Sequence, residues 1–129
     1  MRGKFMISLL FLVATIGSAW AAQVGQVNSA ESQKLLRQHP GLFLLDVRTP
    51  EEYREVRLEG ARLIPIDQVV ARLREIPFDR PVLVYCAIGS RSSQVADYLV
   101  RQGHPEVFNM TGGIWGWQLR GYPVLKGAP

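Results

Sequence analysis

Short apolar runs alternate with stretches whose apolar residues recur at helical spacing. The runs fall at residues 42–47 (broken only by Asp46), 63–66, 82–85 and 107–110 (broken by Asn109). Runs of this length without polar alternation predict strands buried on both faces. Between them, Leu35 and Leu36 predict the inner face of a helix over 30–38, capped by Asn28 or Ser29 and ended by Pro40 and Gly41. Thr49, Pro50 and Glu52 give a capping-box start to a short helix. Asp67 predicts the cap of a helix running to about Arg74, with Val69, Val70 and Leu73 inward. Val95, Ala96, Leu99 and Val100 predict a helix over 92–102 that stops at Gly103, and residues 114–119 a last helix after the Gly112-Gly113 turn.

Strands alternating with helices predict a single α/β domain with a mainly parallel sheet flanked by helices. In such sheets ligands sit beyond the carboxyl ends of the strands. Cys86 falls at one such end, and Asp46 and Arg48 at another.

The first residues read differently. Arg2 and Lys4 precede an uncharged run over 5–17, and Ala19 and Ala21 flank Trp20. That order predicts a secretory signal peptide over 1–21, leaving residues 22–129 as the folded domain. The apolar run is short for a membrane span. The expectation is an exported, periplasmic protein without stable membrane association. The whole chain of 129 residues carries a formal charge of +4, but two of its 15 basic residues and none of its 11 acidic ones lie in that leader. The remainder carries +2 with intermingled signs, which gives no nucleic-acid footprint. A small monomer is the default expectation.

One cysteine excludes an intramolecular disulfide framework and a multi-thiolate zinc site. Taken alone, Cys86 reads as a buried core residue. The segment that follows changes this reading. Cys86-Ala87-Ile88-Gly89-Ser90-Arg91-Ser92 is a strand end, a short loop and a helix start. Backbone N–H groups and the positive end of a helix dipole would face the sulfur, with Arg91 adding a charge. These favour the thiolate and make Cys86 a candidate nucleophile. Ser92, Asp46 and Arg48 are candidates for supporting it, the last two as an ion pair or hydrogen-bonding pair that fixes the loops or with one of them at the rim of the site. Trp115 and Trp117 are expected to pack the terminal helix or to wall the pocket. His39 and His104 lie near helix ends and read as solvated or capping residues.

The Cys86 loop, preceded by Val82-Leu83-Val84-Tyr85, resembles the active-site loop of the rhodanese family of sulfurtransferases. Three further segments resemble that family's signatures in order: residues 44–53, Gly60-Ala61 with Ile64-Pro65, and Gly112-Gly113-Ile114 with Trp117 and residues 121–124. The resemblance spans about residues 27–124. It implies a five-stranded, mainly parallel sheet and a Cys86 persulfide that carries sulfur from a donor such as thiosulfate to cyanide or a thiol. It implies stabilisation by the loop of Ala87, Ile88, Gly89, Ser90 and Arg91, and no metal or organic cofactor. Val56-Arg57-Leu58 stands where many relatives have Gly-His-Ile. Two other readings stay open. One is a binding or redox-sensing module on the same fold. The other is a cysteine-dependent phosphatase, against which only four residues separate Cys86 from Arg91, one fewer than those enzymes use.

Overall fold

The structure is a computed structural model that describes residues 22–129; the expected signal peptide lies outside the described residues. Its centre is a five-stranded parallel sheet. In chain order the elements are β1 (Gly25–Val27), α1 (Ser29–Gln38), β2 (Phe43–Asp46), α2 (Pro50–Glu55), β3 (Val56–Arg57) and β4 (Arg62–Leu63). They continue with β5 (Val82–Tyr85), α3 (Ser90–Arg101), β6 (Val107–Met110), α4 (Gly113–Leu119) and β7 (Leu125–Lys126). The sheet order is β1-β6-β5-β2-β4, and β3 pairs with β7 in a separate antiparallel ribbon.

The apolar runs become the central strands because both of their faces are covered. Leu45, Val82 and Val84 pack with Val95, Ala96 and Leu99 of α3 and with Val69 and Ile76. Leu44, Leu83 and Tyr85 face the other way, onto Ile114 and Trp117 of α4, Leu58, and the partly buried Leu35 and Leu36 of α1. This alternation along β2 and β5 is the two-residue period of a strand between two layers. Two capping boxes start α1 and α2, with Asn28 and Thr49 each bonded reciprocally to the glutamate three residues on.

Three expectations need correction. Residues 67–74 do not form one helix. They contribute 3-10 turns at Ile66–Gln68 and Leu73–Glu75, with Val69 buried but Val70 69% exposed. The fully buried residues, Val69 and Ile76, cap the two turns, and this gives no continuous stripe for an α-helix. β4 is shorter than the apolar run over 63–66, ending at Leu63. His104 is not solvated: it is fully buried, with Nε2 2.9 Å from the Pro77 carbonyl oxygen and Nδ1 accepting from the Glu106 N–H at 3.1 Å. It therefore joins the loop before β5 to the loop before β6. His39 is the exposed C-cap of α1, as expected.

Candidate active site

Strand register sets the site. Asp46 pairs with Tyr85 across β2 and β5, so both strands end at one level. The Val47 N–H carries the ladder one step further, to the Tyr85 carbonyl at 3.2 Å. β6 lies on the other side of β5. Three loops therefore leave the same sheet edge side by side: residues 47–49, 86–89 and 111–112.

The middle loop wraps around its own first residue. The Gly89 N–H donates to Cys86 Sγ at 3.1 Å, and the Ser92 hydroxyl lies 3.3 Å from the sulfur. Gly89 closes the loop at φ +108°, a conformation that side-chain-bearing residues avoid. It serves as N-cap of α3, whose first N–H groups have no partner within the helix. Burial of Cys86 works against its thiolate and is the largest single influence. The Ser92 hydroxyl and the N–H groups of Ser92, Gly89 and Ile88 together outweigh it, and the thiol's pKa falls below its ordinary value. The residue has no solvent-exposed surface.

The third loop holds the second in place. The Ile114 and Trp115 N–H groups donate to the Cys86 and Ala87 carbonyls at 2.9 and 3.1 Å. Gly113, at φ +57°, lies so close that an added Cβ would sit 2.5 Å from the Cys86 carbonyl oxygen. The Gly112-Gly113 turn is thus the floor of the Cys86 loop. Two adjacent glycines following a strand end are a local signal of such a close backbone approach.

Asp46 and Arg48 form a buried pair, with Arg48 Nη2 2.7 Å from Asp46 Oδ2 and the Arg48 N–H 2.9 Å from Oδ1. The same guanidinium donates to the Val56 carbonyl at 2.6 Å. The pair ties the end of β2 to the segment after α2, the fixing role expected of it. Arg57, which stands in place of the histidine of many relatives, lies over the Tyr53 ring and donates to the Gly127 carbonyl at 2.6 Å. Leu58 is buried, and its N–H donates to the Tyr85 hydroxyl at 3.2 Å.

Arg91, whose charge interacts with that of Cys86, also has a partner of its own. Its guanidinium holds Glu52 in a two-pronged contact, Nη1 to Oε1 at 2.8 Å and Nη2 to Oε2 at 3.0 Å. This bond lowers the Glu52 carboxyl to about 2, so the pair is ionised at neutral pH. Glu52 was expected only as a capping residue. It performs that task, accepting from the Thr49 N–H at 3.1 Å, and neutralises the loop's arginine as well. Ser90 is exposed, and Ile88 is 63% exposed at the loop tip.

The tryptophans divide the two roles expected of them. Trp117 packs, with Nε1 donating to the Pro123 carbonyl at 2.9 Å. Trp115 is 65% exposed and lines a groove of about 500 Å³ beside the loop, together with Arg48, Glu52, Glu55, Ala87 and Lys126. Among the described residues, no three His, Cys, Asp or Glu side chains cluster so as to hold a metal ion. No helix there is long and apolar enough to cross a membrane.

A parallel α/β sheet thus delivers a thiol favoured as thiolate into a ring of backbone donors. Residues 29–120 match the model of the rhodanese-like domain, and the chain belongs to that family. A sulfurtransferase of Allochromatium vinosum is 35% identical over 102 residues, covering 79% of this chain and 95% of that protein. The thiosulfate sulfurtransferase of Vibrio cholerae is 32% identical over 98 residues, covering 76% and 90%. The crystal structure of a rhodanese-related protein from Thermoplasma volcanium superposes with a TM-score of 0.71 at 29% identity, covering 78% of this chain and 97% of that one. The family is sulfurtransferase-like.

Proposed function

We propose that the protein is a sulfurtransferase that works through a Cys86 persulfide, with thiosulfate as a donor and cyanide or a thiol as acceptor. The observation that carries this reading is the Cys86 sulfur under the Gly89 N–H and the Ser92 hydroxyl, with its thiolate favoured. In the first half-reaction the thiolate attacks the outer sulfur of thiosulfate. A new S–S bond forms, the old one breaks, and sulfite leaves with its electron pair. In the second half-reaction the acceptor takes the outer sulfur, and Cys86 departs as thiolate. Splitting the transfer in two is covalent catalysis, with ping-pong kinetics. Donors that stabilise the Cys86 thiolate also suit the persulfide anion, in the manner of an oxyanion hole. The reaction calls on no metal or organic cofactor. Export to the periplasm, by removal of residues 1–21, belongs to the same reading; it is tested by the N-terminus of the protein recovered from that compartment.

The test is mass spectrometry after thiosulfate treatment, with Cys86→Ser as control. A gain of one sulfur atom, lost on adding cyanide with release of thiocyanate, supports the reading. No gain together with hydrolysis of an aryl phosphate would assign the loop to phosphatase chemistry. Oxidation of Cys86 without sulfur transfer would assign it to sensing. Full turnover by Cys86→Ser would overturn the role of the nucleophile.

A further inference from the structure

The groove beside Ala87 has a charge pattern with two unanswered members. Four charged residues line it: Arg48, Glu52, Glu55 and Lys126. Arg48 is spent on Asp46, and Glu52 on Arg91. Glu55 and Lys126 are both exposed, and neither takes part in an ion pair among the described residues. They arrive from distant parts of the chain. Glu55 ends α2, and Lys126 lies in β7, which reaches the groove only because it pairs with β3. The Val56–Lys126 register sets Lys126 opposite the residue that follows Glu55. Arg57 secures the strap through the Gly127 carbonyl. The exposed Trp115 ring adds an apolar wall, and the residue's backbone N–H donates to the Ala87 carbonyl, one residue from the nucleophile.

We propose that this groove is the acceptor subsite, and that it selects a small thiol carrying both an ammonium and a carboxylate, of the amino-acid or short-peptide kind. The inference rests on the sulfurtransferase reading and names its acceptor class. Glu55 receives the ammonium, Lys126 receives the carboxylate, and Trp115 covers the carbon chain. A groove of about 500 Å³ holds a molecule of that size. A single-charge acceptor satisfies only half of the lining, whereas a zwitterion satisfies both members without adding net charge. The acceptor's thiolate attacks the outer sulfur of Cys86–S–SH, the new S–S bond forms, and the electron pair of the broken bond returns to Cys86. The product is the acceptor's persulfide.

The experiment compares KM for three acceptors, with thiosulfate as donor: cysteine, cysteamine and 3-mercaptopropionate. Pairs at exposed positions are worth little individually, so effects of about three- to fivefold are expected. Glu55→Gln raises KM for cysteine and cysteamine by that factor while 3-mercaptopropionate is spared. Lys126→Gln raises KM for cysteine and 3-mercaptopropionate while cysteamine is spared. Because each variant keeps one acceptor, a folding defect cannot imitate the split. If wild-type protein makes thiocyanate from thiosulfate and cyanide but neither variant shows the split, the subsite is overturned and the sulfurtransferase reading stands. If wild-type protein forms neither thiocyanate nor a Cys86 persulfide, both are overturned.

Discussion

Gly113→Ala is the substitution that tests how the Cys86 loop is held. Two separate penalties meet at this position. The backbone has φ +57°, and an added Cβ would lie 2.5 Å from both the Ala87 carbonyl carbon and the Cys86 carbonyl oxygen. Holding a side-chain-bearing residue in the left-handed region costs about 1–2 kcal/mol. Forcing atoms into a packed region costs about 1–3 kcal/mol more, and backbone atoms cannot rotate away as a side chain can. The sum is roughly 2–5 kcal/mol. Two other glycines separate the terms. Gly103 has φ +94° with open space around its Cβ direction, so alanine there meets only the backbone penalty of about 1–2 kcal/mol. Gly41 has open space and no left-handed φ, so alanine there is neutral or stabilises by about 0.4–1 kcal/mol. Denaturant unfolding of the three variants, with slopes matching wild type, measures the series. Loading of Cys86 with sulfur is read alongside, because shifting Gly113 loosens the bonds from Ile114 and Trp115 to the loop. If Gly113→Ala loses no more stability than Gly103→Ala, the turn is not the floor of the loop and the argument fails.

Other perturbations reach the same edge of the sheet. Ser92→Ala removes a hydroxyl that favours the Cys86 thiolate, so the thiol's pKa rises and the pH profile of persulfide loading moves to higher pH. Stopped-flow loading rates across pH check this, and an unmoved profile would remove Ser92 from the machinery. Asp46→Ala leaves the buried Arg48 charge without its carboxylate and costs about 3–5 kcal/mol. Denaturant unfolding measures that loss, and a value under about 1 kcal/mol would mean that Arg48 finds other compensation.

Much of this arrangement is legible in the chain. The run at Val82–Tyr85 ends on Cys86, and a strand buried on both faces has no other way to read than outward to its loop. The capping boxes at Asn28 and Thr49 are local patterns, and they form as written. What escaped depends on distant partners. β1 is three residues long and pairs only with β6, too short a stretch for periodicity to show. β3 and β7 are two residues each, joined across almost seventy positions, with no local signal on either side. Arg91, five residues after Cys86, suggests a charge near the sulfur, but its partner Glu52 comes from another helix and leaves no local signal. His104 looks like a helix-end residue until Pro77 and Glu106 enclose it. The failed helix at 67–74 is the opposite case, in which a cap residue and three apolar residues were present, but Val69 is buried, Leu73 only partly so, and Val70 exposed.

The edge pairing of Gly25 with Phe108 also has a consequence in time. During synthesis β1 emerges among the first described residues, yet its sole neighbour in the sheet follows more than eighty residues later. At about 5–20 residues per second, β1 waits roughly 4–17 s for β6 to be made. Parallel pairings of such long span also close slowly once both partners exist. A nascent chain of this protein is therefore open for seconds before the sheet can shut.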